Sequence, residues 1–100
     1  MEIEKNQEGS KLIIRLSGRL AVKESKELDQ VLGSSLEGIT DLTFDLAELS
    51  YISSAGLRSL LLAQDVMDKV EGAMRLVHVQ SAVMEVLDLT GFCEFMEIKK

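Results

Sequence analysis

Proline and tryptophan are absent from these 100 residues, and cysteine, histidine and tyrosine occur once each. No apolar run approaches the roughly 20 residues that a helix needs to span a bilayer, so direct membrane insertion is not expected. The single Cys93 forbids an internal disulfide, which fits a reducing compartment. The opening MEIEKNQEGS is polar and acidic and lacks the apolar stretch of a secretory leader, so the expected location is cytoplasmic. Cations are also scarce: 11 Lys and Arg against 17 Asp and Glu give a net charge of −6. That balance speaks against a nucleic-acid-binding face, which needs clustered cations to neutralise phosphates. It permits a basic protein partner. No linker, repeat or low-complexity stretch interrupts the chain.

What is present is the content of one globular domain, expected over residues 1–100, with 46% apolar residues. Residues 1–5 form a strand candidate, residues 6–10 are turn-like, and Lys11–Ser17 alternates as a strand with Leu12, Ile14 and Leu16 on one face. Gly18 breaks that pattern. Residues 22–36 read as a helix with Leu28, Val31, Leu32, Ser35 and Leu36 on one stripe, and Gly38 marks its exit. Residues 41–46 alternate again. Residues 54–70 carry the clearest helical stripe: Leu57, Leu60, Leu61, Ala63, Val66, Met67 and Val70. Met74–Val79 reads as a strand, Ser81 as the N-cap of a helix over 82–90 closed by Gly91, and 94–98 as a last strand. The order ββαβαβαβ predicts an α/β domain: a mixed five-stranded sheet, first strand antiparallel and the rest mainly parallel, with about three main helices.

In such sheets the working site lies beyond the carboxyl ends of the strands. The loops expected at that edge are 18–22, 47–54 and 79–81. The middle one brings Tyr51 and Ile52, then Ser53 and Ser54 at a helix start, then Ala55 and Gly56, which are nearly without side chains. A serine at a helix start accepts a hydrogen bond from a free backbone N–H, and such a cap stabilises by about 1 kcal/mol. The same end also stabilises an added phosphate, through its free N–H groups and the helix dipole. One serine can cap while its neighbour is modified.

The stretch DLAELSYISSAGLRSLL, Asp45–Leu61, closely resembles the signature of the STAS domain family, the sulphate-transporter and anti-sigma-factor-antagonist domains. Arg15–Leu20 looks like the family's second strand and the loop after it, and Arg75–Val79 and Leu87–Phe92 look like its late strand and closing helix. The compact length resembles the free-standing antagonists. The resemblance implies a non-enzymatic partner switch. Unphosphorylated, such a protein binds an anti-sigma factor that is also a serine kinase of the histidine-kinase-like ATPase type. The kinase phosphorylates a serine of this loop, the complex dissociates, and a serine phosphatase restores the binding form. Ser53 stands where the family has Asp, Ala55 where it has a second hydroxyl, and Ala21 where an acidic residue is common. Aligned on Gly56-Leu57, the retained hydroxyl is Ser54, the expected phosphate acceptor, with Ser53 the fallback. The implied partner contacts are Arg19, Leu20, Tyr51, Ile52, Ser53, Ser54, Ala55, Gly56, Leu57 and Arg58, with Asp45 orienting the loop.

Other functions leave little trace. There is no Gly-x-Ser-x-Gly elbow, no Gly-x4-Gly-Lys loop and no dinucleotide fingerprint. His78, 24 positions beyond Ser54, is expected to be structural, and Cys93 a small core residue. No metal or cofactor is expected. The alternative within the same fold is a non-phosphorylated module attached to a transporter ATPase or another signalling assembly. A nucleotide-binding role at the sheet edge is a weaker one for so acidic a chain.

Overall fold

The computed structural model describes residues 1–94 and 96–100. Its elements run β1 (Glu2–Glu8), β2 (Lys11–Leu20), α1 (Val22–Ser35), β3 (Asp41–Ile52), α2 (Ser54–Lys69), β4 (Ala73–Val77), α3 (Ser81–Leu89) and β5 (Glu97–Ile98), with a 3-10 turn at Phe92–Glu94. The sheet order is β1-β2-β3-β4-β5. β1 is antiparallel to β2, with Glu2 opposite Ser17 and Glu8 opposite Lys11, and every later pairing is parallel. The expected mixed sheet is the one that forms.

Alternation sorts the strand residues onto two faces. Leu12, Ile14 and Leu16 of β2, Leu42, Phe44 and Leu46 of β3, and Met74 and Leu76 of β4 are buried in one cluster. Leu28 and Leu32 of α1, Leu60, Ala63 and Met67 of α2, and Val83 and Leu87 of α3 complete it. Each parallel strand is added beside the last, so crossovers of one hand bring the helices to one face. The other face bears Lys11, Ile13, Arg15, Asp41, Thr43 and Arg75, and its charges pair laterally. Arg75 donates to Asp41 at 2.6 Å and to Thr43 at 2.8 Å.

Several boundaries differ from expectation. β1 and β2 run longer and meet at a turn over Gly9 and Ser10. Gly18 does not end β2: it carries a φ of 99°, open to glycine, and the strand continues to Leu20. β4 stops at Val77, because His78 adopts φ 56° and leaves the extended region. Gln80, not Ser81, is the N-cap of α3. The last strand shrinks to Glu97–Ile98; Phe95, inside the expected 94–98, lies outside the described residues. Cys93 is exposed rather than core, and its thiol donates to Asp88 Oδ1 at 2.9 Å. That bond to a carboxylate pushes the thiol pKa above its ordinary value, away from nucleophilic thiolate.

The largest difference concerns β3. Residues 47–52, expected as loop, continue the strand. Two bulges explain why the alternation is hard to follow. Between the pairs Arg15–Asp45 and Ser17–Glu48, β3 has one residue more than β2, and it has one more again between Gly18–Leu49 and Arg19–Tyr51. Each extra residue flips the side-chain phase. The buried apolar positions therefore run Leu42, Phe44, Leu46, then Leu49, then Ile52.

Candidate functional site: the seryl end of the sheet

The bulges leave backbone groups to be satisfied, and side chains do this. Ala47 N–H donates to Asp45 Oδ1 at 3.1 Å, and Ala47 C=O accepts from Gln80 Nε2 at 2.7 Å. Ser50, in the second bulge, donates its hydroxyl to Gly18 C=O at 3.1 Å. Ser53 N–H then reaches across to Leu20 C=O at 2.9 Å, closing the pairing where the chain turns into α2. The approach to the two serines is thereby fixed on both sides, from β2 and from the β4–α3 connection.

Asp45 anchors this arrangement. Its side chain is only 11% exposed and meets Arg15 at 3.4 Å and His78 Nδ1 at 3.1 Å. Burial alone would raise its pKa, but the Ala47 N–H, His78 and Arg15 outweigh burial and hold it below the ordinary value. Asp45 thus has three partners at this edge: Ala47, Arg15 and His78. His78 joins it as a structural neighbour in a left-handed conformation, not as a strand residue.

Ser53 is the N-cap of α2: its Oγ accepts from Gly56 N–H at 3.2 Å, and its C=O accepts from Leu57 N–H at 3.0 Å. Ser54, the first helical residue, is exposed and its hydroxyl takes no part in that cap. The two hydroxyls one residue apart therefore have different surroundings. One is committed to the helix terminus and the other is presented to solvent.

Tyr51 and Ile52 part company as well. Ile52 is 3% exposed and belongs to the core, whereas Tyr51 is 40% exposed. The Arg19 guanidinium lies 4.2 Å from the centre of the Tyr51 ring, in cation–π contact, as the Arg19–Tyr51 register requires. Gly56 is buried, and the reason is internal. A Cβ there would stand 2.7 Å from Leu20 Cγ and 2.9 Å from both Ile52 Cγ1 and Leu20 C=O. Glycine at this position lets α2 sit on the ends of β2 and β3. Leu20, Ile52, Gly56 and Leu57 are all buried beneath this end of the sheet. Arg19, Tyr51, Ser54 and Arg58 are exposed, with Ser53 and Ala55 half-buried between them.

A sequence model of the STAS domain matches residues 2–100. The chain belongs to the STAS domain family. This STAS domain is 32% identical over 88 residues to BtrV of Bordetella bronchiseptica, a protein described as a candidate anti-sigma factor antagonist; the match covers 87% of this chain and 76% of BtrV. Its fold is similar to that of an anti-sigma factor antagonist from Mycobacterium paratuberculosis, with TM-score 0.88 at 19% identity over 98% of this chain and 84% of the other. It is also similar to the Bacillus cell fate determinant SpoIIAA in the phosphorylated form, with TM-score 0.78 at 17% identity over 99% and 92%. Among the described residues no helix is long and apolar enough to cross a membrane, and no three His, Cys, Asp or Glu gather as metal ligands.

Reading the sequence for function missed Gln80, Ser50 and Arg15, which hold the bulged strand. Their signal was weak, because a polar residue after a strand has many uses. The spacing Leu46, Leu49, Ile52 was the stronger clue. Apolar residues three apart after a strict alternation mark a strand that gains a residue twice.

Proposed function

We propose that this STAS domain is an anti-sigma factor antagonist, working in the cytoplasm as a single binding domain without catalytic turnover. In this reading it binds an anti-sigma factor that is also a serine kinase of the histidine-kinase-like ATPase type. Ser54 accepts the phosphate and a serine phosphatase removes it. The observation that carries the reading is the division between the two serines: Ser53 is occupied in capping α2, and Ser54 stands exposed at the first helical position. A phosphate on Ser54 would meet the free N–H groups and positive dipole end of α2 within its own chain. At the interface it would meet the nucleotide phosphates held by the kinase, and like charges brought together out of water oppose binding. Arg19, Tyr51, Ser53, Ala55 and Arg58 surround it as the partner-contacting surface. Names given to relatives, BtrV and the Mycobacterium protein among them, support the antagonist role. The existence of a phosphorylated form of SpoIIAA supports the phosphoryl switch.

Mass spectrometry of the chain purified from its own cells tests the acceptor, and calorimetric titration tests the switch. The kinase, loaded with ADP, should bind wild type and Ser54→Ala alike, and Ser54→Asp more weakly. A loss of ~3 kcal/mol corresponds to roughly a hundredfold. Equal affinity of wild type and Ser54→Asp defeats the proposal at this residue.

A further inference from the structure

Arginine occurs at positions 15, 19, 58 and 75, and three of these side chains are engaged within the chain. Arg15 meets Glu4 at 3.9 Å and Asp45 at 3.4 Å, Arg75 meets Asp41 at 2.6 Å and Glu97 at 3.6 Å, and Arg19 lies over the Tyr51 ring. Among the described residues, the exposed Arg58 has no ion pair, side-chain hydrogen bond or ring contact. Its own helix offers it none. The residues three and four positions away on α2 are Ser54 and Ala55 before it and Leu61 and Leu62 after it, and none is acidic. A cation near the positive end of a helix gains nothing from the dipole either.

One of those four neighbours can become acidic. Ser54 is exposed and stands four residues before Arg58. Residues at i and i+4 are neighbours on a helix surface, and an anion on the N-terminal side of the cation is the favoured order. Helical Cα–Cβ bonds tilt towards the N-terminus, so a long side chain at position 58 covers the turn that holds position 54. A phosphoserine there carries nearly two negative charges, and the planar guanidinium can meet its oxygens two at a time. Ser53 lies five positions before Arg58, off that row, and its Oγ already accepts Gly56 N–H.

We infer that Arg58 is a clamp for a phosphate on Ser54, holding the phosphoryl group within its own chain and leaving the partner-contacting surface as the phosphate enters it. Arg19 and Arg58 are the charged residues of that surface, so the modification adds negative charge and also neutralises one of its two cations. The inference rests on Ser54 being the acceptor.

The full chain made with phosphoserine inserted at position 54 during synthesis tests the clamp without any kinase, while mass spectrometry of the native protein tests the acceptor separately. The 31P resonance is followed through the second ionisation of the phosphate, near pH 6. The helix end lowers the midpoint in every variant, so the difference between variants isolates Arg58. Arg58→Gln should raise the midpoint by about 0.3–0.7 of a pH unit, the size expected of an exposed charge pair. Arg58→Lys should restore at least half of that shift, and Arg19→Gln should move the midpoint by less than half as much. Unphosphorylated wild type and Arg58→Gln should melt together. Equal midpoints for the phosphorylated wild type and Arg58→Gln overturn the clamp, and so does a lysine variant that behaves like the glutamine one. A larger shift from Arg19→Gln than from Arg58→Gln also overturns it, since the phosphate then pairs with β2 and not along α2.

Discussion

From Asp41 to Asp45, β3 is paired on both sides, to β2 and to β4; from Glu48 to Ile52 it is paired to β2 alone. The first stretch is placed by two hydrogen-bonded ladders and by Leu42 and Phe44, which are fully buried. The second is placed by one interrupted ladder, by the buried Leu49 and Ile52 at wider spacing, and by the polar side chains of Asp45, Ser50 and Gln80. Its backbone can be adjusted at local cost, and it is the part that delivers Tyr51, Ser53 and Ser54 to the surface. The frame rests on apolar burial throughout, whereas the exposed side chains of the bulged half rest on polar contacts, so substitutions of the two kinds should act on different scales.

Truncation in the frame should have the largest effect. Phe44→Ala should cost about 3–5 kcal/mol of unfolding free energy, because it removes a fully buried ring and leaves a large cavity among apolar side chains. Urea titration followed by circular dichroism measures it. A loss as large from Tyr51→Ala, in the bulged half, would break the division, since Tyr51 is 40% exposed and has less burial to lose.

Gly56 lies where frame and site meet. Gly56→Ala should cost about 1–3 kcal/mol through overpacking, despite alanine's better helix propensity. The added methyl would have to displace Leu20, Ile52 or the Leu20 carbonyl. In a Leu20→Ala background, itself less stable, the same Gly56→Ala change should cost less than in wild type, a coupling that a double-mutant cycle in the same titration recovers. No coupling would mean that the backbone carbonyl, not the side chain, sets the limit.

Asp45 sharpens the comparison through pH. Its folded-state pKa is depressed, so the unfolded chain takes up a proton more readily than the folded one. The charge therefore stabilises the fold above the ordinary pKa of 3.8, and this contribution is lost as pH falls through that value towards the lower folded one. Asp45→Asn should cost about 1–3 kcal/mol near neutral pH, the range for hydrogen bonds to charged groups. The gap between the two proteins should be level down to about pH 5 and narrow below that. Amide exchange should quicken first at Ala47, whose N–H the carboxylate holds. A gap that stays constant to the acid limit would show that Asp45 acts by shape and not by charge.

The frame was legible in the amino-acid pattern because its forces are periodic. Leu12, Ile14 and Leu16 announce a strand, and the stripe from Leu57 to Met67 announces a helix, since burial on one face selects residues at fixed steps. The bulged half was legible only in part. Each added residue at Leu46–Ala47 and at Ser50 moves the apolar side chain from one parity to the other, so a strand looks like a loop. Ser53 and Ser54 could be placed at a helix start, because a cap is a local event set by its own neighbours. The demand for glycine at position 56 could not be seen, because it comes from Leu20, 36 positions earlier in the chain. Cys93 misled for a similar reason: the thiol is drawn to Asp88 outside the core rather than into it.

The smallest effect divides the two serines themselves. Ser53→Ala removes the oxygen that accepts Gly56 N–H, leaves one of the helix's first N–H groups to solvent, and should cost about 1 kcal/mol. Ser54→Ala removes a hydroxyl that the helix does not use and replaces it with the best helix former, so stability should change by less than about 0.5 kcal/mol. Thermal melts of the two variants side by side give the comparison, with Ser53→Asp as a control that restores an acceptor at the cap. If the order is reversed, Ser54 is the structural hydroxyl, and Ser53 becomes the residue free for modification. If both cost about 1 kcal/mol, neither hydroxyl is idle in the folded chain, and phosphorylation at either must first break a cap. The expected asymmetry has a direct functional sense: a switch residue can change its charge without unfolding the helix that presents it only if its neighbour alone holds the end of that helix.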